Sequence, residues 1–352
     1  MEIRKLQKVG SSTLSVSLPS AWAADNGLHR GASVQLVEDG KALRLIPLVG
    51  GAVATSKETR FLIDADECKS PHVLSRVIIS AYVLGRDHVI IRSASRLKAD
   101  QVDAVRRTSK RLIGTGIIQE DPEEIVLQCS IESQRYPVDV LFKRLYNLSA
   151  TTITDSLEAL RTRDAKLAEV AATREEDSDM IYWLLMRQIL SAQQDESVRT
   201  LVGIKSRADV SGYSIIAADL ERIGDHTRHL AAAASWLVQN EVKIPSAIQT
   251  ALRSYALEVG QIFQLAMLAL LSRELDKAVD AVERAGKLRE KEEGLVLSTL
   301  SGIQNLDAVV RVRRAIEGLV HATDACRSIA IIAFSRHQSE PTRFMRPLEP
   351  GK

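Results

Sequence analysis

The chain has 352 residues, enough for two or three domains, and is 45% hydrophobic and 26% charged, the make-up of an ordinary globular protein. Its formal net charge of +2 excludes a chain-wide polycation built for nucleic acid, so any such role has to come from a local patch. Aromatic residues are only 4%, which suits helical bundles filled by Leu, Ala, Ile and Val. Cys68, Cys129 and Cys326 are far apart and in no metal-ligand spacing, so they read as reduced thiols of a cytosolic protein. The chain starts on a polar strand pattern rather than a signal peptide, and the longest apolar run, residues 262–271, is too short for a bilayer. No membrane insertion is expected; any service to a membrane transporter is rendered from the cytoplasm.

Residues 1–48 read as a strand-rich unit. Residues 3–9 and 13–18 alternate in polarity around Gly10-Ser11-Ser12, and Pro19 opens a short helix. Residues 33–37 and 42–47 are strands joined through residues 38–41, whose Asp39-Gly40 is a hairpin signal. About fifty residues can scarcely bury an adequate core alone, so this unit is expected to make the chain a homodimer. Doubled in a dimer, Arg4, Lys5 and Lys8 beside the Gly-Ser-Ser turn would face DNA phosphates. The alternative is a solvated strand edge whose lysines discourage edge pairing. The order of strand, Gly-Ser turn, strand, Leu18-Pro19-Ser20-Ala21-Trp22, Gly31-Ala32-Ser33-Val34 and hairpin resembles the AbrB/SpoVT family. That resemblance implies a swapped-hairpin β domain in which two chains interleave, and DNA binding through Arg4, Lys5, Lys8, Ser11 and Ser12.

Residues 49–57 are small and read as a linker. Residues 58–131 read as a small α/β connector: strand 60–64, a helix from Ser70-Pro71 to Leu84 stopped by Gly85, strand 88–91, helix 98–113 stopped by Gly114, then strands 116–120 and 124–128. Arg106, Arg107, Lys110 and Arg111 on its second helix read as a solvated face, with DNA or an acidic partner as the alternative.

From Val138 the pattern is helical. Helices over 138–163, 164–194 and 198–240 form a first bundle, residues 138–240. After a bend at Val242-Lys243-Ile244-Pro245, helices over 246–274, 275–300 and 307–335 repeat the plan as a second bundle, residues 246–335. The polar, Pro-containing tail 336–352 is expected to be disordered. The organising stretch is residues 215–231. As a helix it puts Ile216, Leu220, Ile223 and Leu230 on one apolar stripe, and it stacks Glu221 and Asp225 on an adjoining face among Ser214, Ala218, Arg228 and Ala232. Two carboxylates on successive turns repel unless a cation lies between them, and that cation is a metal ion, Arg228 or a base from another helix. Asp219, Arg222, His226 and His229 fall on the far side, where solvent is expected.

The spelling Asp219-Leu220-Glu221-Arg222-Ile223-Gly224-Asp225-His226 resembles the signature of the PhoU family of phosphate-uptake regulators. The resemblance implies an all-α pair of three-helix bundles, each with an acidic motif that holds metal in some members. The whole order of parts is similar to archaeal-type AbrB–PhoU fusions. Here it implies a divalent or ferric ion at Glu221 and Asp225, with further acids from Asp155 and Glu158 or from Glu176 and Asp179. Shifted by about a hundred residues, the motif falls on residues 319–327, where Val320 replaces the first acid. Glu317 and Asp324, seven apart, with His321 at their edge, keep an altered acidic face and a second candidate metal site. No phosphate loop, nucleophile elbow, His-Glu-x-x-His or paired Cys-x-x-Cys is present, so no enzyme is expected. The expectation is a multidomain regulator of phosphate uptake and homeostasis, acting on DNA or, alternatively, as a dimer on a phosphate transporter or sensor kinase.

Overall fold

The computed structural model describes residues 3–39, 42–49, 52–53, 60–338, 341–346 and 348, and it divides into two compact units, Met1–Thr59 and Arg60–Lys352. In the first, β1 (Gln7–Val9) and β2 (Thr13–Ser15) pair antiparallel across the Gly-Ser-Ser turn. Pro19 precedes α1 (Ser20–Asp25). β3 (Val34–Asp39) pairs antiparallel with β4 (Ala42–Val49), to which β5 (Ala52–Val53) is added. The Asp-Gly turn expected at 39–40 lies partly outside the described residues, as does most of the stretch read as a linker. β1 and β2 are shorter at their outer ends than the alternation suggests, whereas β3 and β4 run two residues further than expected, to Asp39 and Val49. Of residues 3–36, 42, 43 and 45–48 of this unit none is buried, and Leu6, Leu14, Leu36 and Leu43 are all more than half exposed.

The second unit opens with the α/β layer: β6 (Arg60–Asp64), α2 (Pro71–Val83), β7 (His88–Arg92), α3 (Ala99–Lys110), β8 (Thr115–Glu120) and β9 (Glu124–Cys129). The sheet order is β6-β7-β9-β8, with β6 and β7 parallel and the other pairs antiparallel. The punctuation follows the sequence. Ser70 caps α2 by accepting from the Val73 amide at 3.3 Å, with Pro71 as first helical residue. Gly85 and Gly114 turn the chain at φ +80° and +78°, conformations that side chains other than glycine rarely adopt. Leu74, Ile78, Val105, Ile91, Ile125 and Leu127 fill this layer's core. A register slip between Ile117 and Gln119 turns Ile118 out to solvent.

The helices are α4 (Val138–Thr162), α5 (Ala165–Thr173), α6 (Glu175–Gln194), α7 (Glu196–Leu201), α8 (Arg207–Gln239), α9 (Ser246–Ser272), α10 (Leu275–Arg289), α11 (Glu292–Gly302) and α12 (Leu306–His337). The two halves repeat a plan of long helix, broken helix, long helix. Arg163 and Arg273 end α4 and α9 in the same left-handed conformation, φ 59° and 58°, so the duplication reaches the corners. Three of the helices expected from periodicity are interrupted. Residues 164–194 break at Arg174. Residues 198–240 break around Gly203, after which Ser206 caps α8 by accepting from the Asp209 amide. Residues 275–300 break at Glu290 and Lys291. Apolar periodicity passes through such breaks because the pieces on either side bury the same stripe.

The two bundles share one core. Phe142, Leu184, Ile216 and Leu220 of the first half are continuous with Ile262, Phe263, Leu319 and Ile329 of the second. α8 lies along α12 so closely that a Cβ on Gly318 would stand 2.5 Å from the His226 carbonyl oxygen. α9 is long and apolar enough to cross a membrane by length and composition, which the run 262–271 alone does not reveal; half of its apolar window is buried among the other helices. The α/β layer is docked on this bundle through Arg187 of α6. Its guanidinium, 8% exposed, donates to the carbonyls of Tyr82 (2.7 Å) and Arg86 (3.2 Å) at the C-terminal end of α2 and to the Asp87 carboxylate (2.9 Å). In the tail, expected to be disordered, α12 runs on to His337, Phe344 packs on Phe334 at 5.6 Å between centroids, and Arg343 pairs with Asp276. Cys129 and Cys326 are buried and Cys68 half-buried, all as free thiols.

Candidate metal centre

The expected apolar stripe of α8 is in place. Ile216, Leu220, Ile223 and Leu230 are fully buried, and this fixes the rotation of the helix. Glu221 and Asp225 are thereby held half-buried toward α6, where Asp179 joins them. Oxygens of these three carboxylates lie within 4.8 Å of one another, and among the described residues they form the one such group. Of the four acids the sequence offered as supplements, only Asp179 arrives. Asp155 is engaged by Arg174, Glu158 pairs with Arg161 on its own helix, and Glu176 is exposed.

The neighbouring cations of α8 are committed elsewhere, Arg222 to Asp219 and Arg228 to Glu175. Arg228, the residue expected to neutralise the pair from its own helix, instead binds Glu175 at 2.7 Å. The base that does reach the group is Arg111, at the end of α3. It binds Asp179 at 2.7 Å and lies over the Trp183 ring, 5.0 Å from its centroid. Sequence reading placed Arg111 on a solvated face with Arg106; Arg106 does stay there, paired with Glu120. Nothing in the local sequence signals Arg111, because its partner is 68 residues away. One guanidinium in contact with three carboxylates, with Arg76 and Arg222 acting on them only from a distance, leaves the group under-neutralised. Burial first, then Asp225 and Asp179, push the Glu221 carboxyl up to about 7. Burial also raises Asp179, against the pull of Arg111, and raises Glu175 against Arg228.

This donor set fits a hard cation. Magnesium to calcium-sized ions take carboxylate oxygens at about 2.0–2.6 Å, so two ligands of one ion stand up to roughly 4–5 Å apart. The three carboxylates meet that spacing, on two helices of one bundle, with water left to complete the shell.

The far face of α8 is solvated only in part: Arg222 is exposed as expected, His226 and His229 are half-buried, and Asp219 is buried. Asp219 is 1% exposed beside Arg222 (3.2 Å), and the His226 ring stacks on His321 with centroids 4.8 Å apart. The cause is α12: the second bundle packs on the face that one helix taken alone would give to water. Burial raises the Asp219 pKa and lowers that of His226. In the second half, Asp324 is paired with Arg289 at 3.0 Å, Glu317 is exposed on the side of His226, and Val320 is buried. The structure does not bring Glu317 and Asp324 into one group with a third acid. In the first unit Arg4, Lys5, Lys8, Ser11 and Ser12 are all exposed, but only Ser11 and Ser12 lie in the β1–β2 turn; Arg4 and Lys5 precede β1 at the open end of the hairpin, where Arg4 donates to Ser17 at 3.3 Å.

No curated protein matches the chain. Two solved structures resemble it in part. PhoU from Pseudomonas aeruginosa is 19% identical with a TM-score of 0.49, over 58% of this chain and 96% of that one. The phosphate transport system regulatory protein PhoU from Streptococcus pneumoniae is 17% identical with a TM-score of 0.47, over 58% and 94%. The family model described as PhoU domain matches residues 142–234, which contain Asp179, Glu221 and Asp225. The helices that carry the acidic group are therefore a PhoU domain.

Proposed function

We propose that the protein is a regulator of phosphate uptake and phosphate homeostasis, without enzymatic activity, whose PhoU domain binds a divalent or ferric ion through Asp179, Glu221 and Asp225. The observation that carries the reading is the under-neutralised carboxylate group at the family motif. The first bundle holds the ion; Glu317 and Asp324 of the second make at most a partial site, with Asp324 engaged by Arg289. The test is metal content of the purified protein, and melting temperature with added ions, in wild type and in Glu221→Ala/Asp225→Ala. An ion at a hundredfold excess over its dissociation constant should stabilise wild type by about 2.7 kcal/mol, and the double variant should lose that response. A wild type that purifies without metal and melts at the same temperature with every ion would sink the assignment.

The first unit supports a dimer that acts in the cytoplasm on DNA, as the likeness to AbrB/SpoVT domains implies, with interleaved hairpins supplying the core that one copy lacks. The supporting observation is that none of residues 3–36, 42, 43 and 45–48 is buried. Light scattering on the chain without residues 1–48 should show dimers lost or weakened; an unchanged dimer moves the interface to the helices. DNA affinity then resides in Arg4, Lys5 and Lys8, along and ahead of β1, with Ser11 and Ser12 in the turn that follows it. Replacing the three bases with alanine should flatten the slope of log affinity against log salt by roughly one unit for each phosphate no longer neutralised. If neither affinity nor slope changes, the unit only dimerises the chain, and the protein works through a phosphate transporter or sensor kinase.

A further inference from the structure

The two edges of the four-stranded sheet are finished differently. β8 carries the register slip at Ile117 and Gln119 and runs into Glu120-Asp121; bulges and charges of this kind keep an edge from pairing with another chain. β6, the opposite edge, has no bulge. Among the described residues it pairs with β7 only, in regular parallel register from Arg60 to Asp64. Its centre is Phe61-Leu62-Ile63, and Leu62 is 60% exposed. Leu62, Ile90 and Val126 stand side by side across three strands, outside the core that this layer's helices cover. The Ala65 amide donates to the Arg92 carbonyl at 2.7 Å, so residues 61, 63 and 65 turn their backbone groups toward β7. The amides and carbonyls of Arg60, Leu62 and Asp64 therefore face outward along the edge.

The strand Arg60-Phe61-Leu62-Ile63-Asp64 is its own complement. Set antiparallel against a second copy about a twofold axis at Leu62, it brings Arg60 opposite Asp64 at both ends, Phe61 opposite Ile63, and Leu62 opposite Leu62. The backbone agrees with this register. Residues that exchange hydrogen bonds across such a pair must be those whose amides and carbonyls face outward, and these are Arg60, Leu62 and Asp64. Arg60 and Asp64 are exposed. Asp64 Oδ1 accepts from the Asp66 amide at 2.9 Å, which leaves Oδ2 for a guanidinium, and the Asp64 carbonyl receives only the weak Cys68 thiol bond at 3.5 Å. The apolar row of Leu62, Ile90 and Val126 would run on unbroken into the same row of the second copy. We propose that β6 pairs antiparallel with β6 of a second copy, which joins two four-stranded sheets into one of eight strands. The inference goes beyond the regulator reading and concerns a surface other than residues 1–48.

Cross-linking of the full chain tests it, whether or not residues 1–48 also hold two copies together. Leu62→Cys, in a Cys68→Ser background, is treated with a short bismaleimide; Cys129 and Cys326 are buried. Across the twofold axis the Cβ atoms at position 62 would stand about 5.5 Å apart, so covalent dimers should form readily. Ile118→Cys, exposed on β8, is the control. Seven strand spacings, about 34 Å, would separate its two copies, and its dimers should be about tenfold fewer. Charge tests the register, with Leu62→Cys present throughout. Arg60→Glu sets acid against acid and Asp64→Lys sets base against base, so each should lower the yield of its own dimer. Mixing the two should favour the mixed dimer by about fivefold over either self-dimer. Absence of dimers at position 62, equal yields at positions 62 and 118, or no preference for the mixed dimer would each overturn the proposal. Positions 60, 62, 64 and 118 are exposed, so the variants should fold, which circular dichroism checks.

Discussion

Gly318→Ala is expected to destabilise the protein by about 2–3 kcal/mol, an effect out of proportion to one methyl group. The added Cβ would lie 2.5 Å from the His226 carbonyl oxygen and 3.3 Å from the His229 ring. The first of these is backbone, so no side-chain rotation relieves it and α8 and α12 have to part. Because the two helices join the halves of one core, the cost spreads beyond the crossing. Gly224, between Glu221 and Asp225 on α8, makes the control. A Cβ there would meet only the Ser178 and Ser149 hydroxyls, at 3.3 and 3.6 Å. The gain of about 1 kcal/mol in helix propensity then offsets most of the crowding, and Gly224→Ala should fall within about 1 kcal/mol of wild type. Urea unfolding of both variants measures the difference. Equal midpoints would mean that the close approach at Gly318 is not a constraint on the fold.

The second large effect is one of pH. The folded protein holds the Glu221 carboxyl at about 7 against an ordinary 4.5. Between those values the folded state binds more protons at this site than the unfolded chain does. The derivative of unfolding free energy with respect to pH is therefore negative, and this contribution to stability is lost as pH rises from about 4.5 to about 7. Discounted for the half-exposure of the group, the loss is about 1–2 kcal/mol. In buffer with a chelator, Glu221→Gln should shed this part of the slope and be more stable than wild type at pH 8. Saturating divalent ion should reverse the ranking, since it repays the charged form in wild type alone. If Glu221→Gln is the weaker protein at pH 8 with the chelator present, a cation of the protein already answers this carboxylate.

What the sequence made legible was local. Ser70-Pro71, Gly85 and Gly114 delimit the α/β layer because each acts within a turn of itself, and those boundaries hold to within a few residues. The stripe of Ile216, Leu220, Ile223 and Leu230 likewise oriented α8 and hence Glu221 and Asp225. What was not legible came from other elements. Arg111 and Asp179 meet only because α3 ends against α6. Asp219 is buried only because α12 covers the face that a single helix would give to water. The breaks at Arg174 and at Glu290 and Lys291 carry no glycine or proline and leave the apolar period intact, so no breaker marks them. The first unit is the reverse case: its strands were readable, but the burial its alternation calls for does not occur within one copy.

Arg187 has a bearing on how the molecule comes apart. Its guanidinium belongs to the helices, but three of its acceptors belong to the α/β layer, and Ile131 packs against the cores of both. Melting either part first would strand a buried positive charge, or the carbonyls that receive it, with nothing in exchange. Residues 60–338 are thus built to unfold as one cooperative block. A disturbance at the carboxylates has no soft joint in which to dissipate before it reaches the sheet.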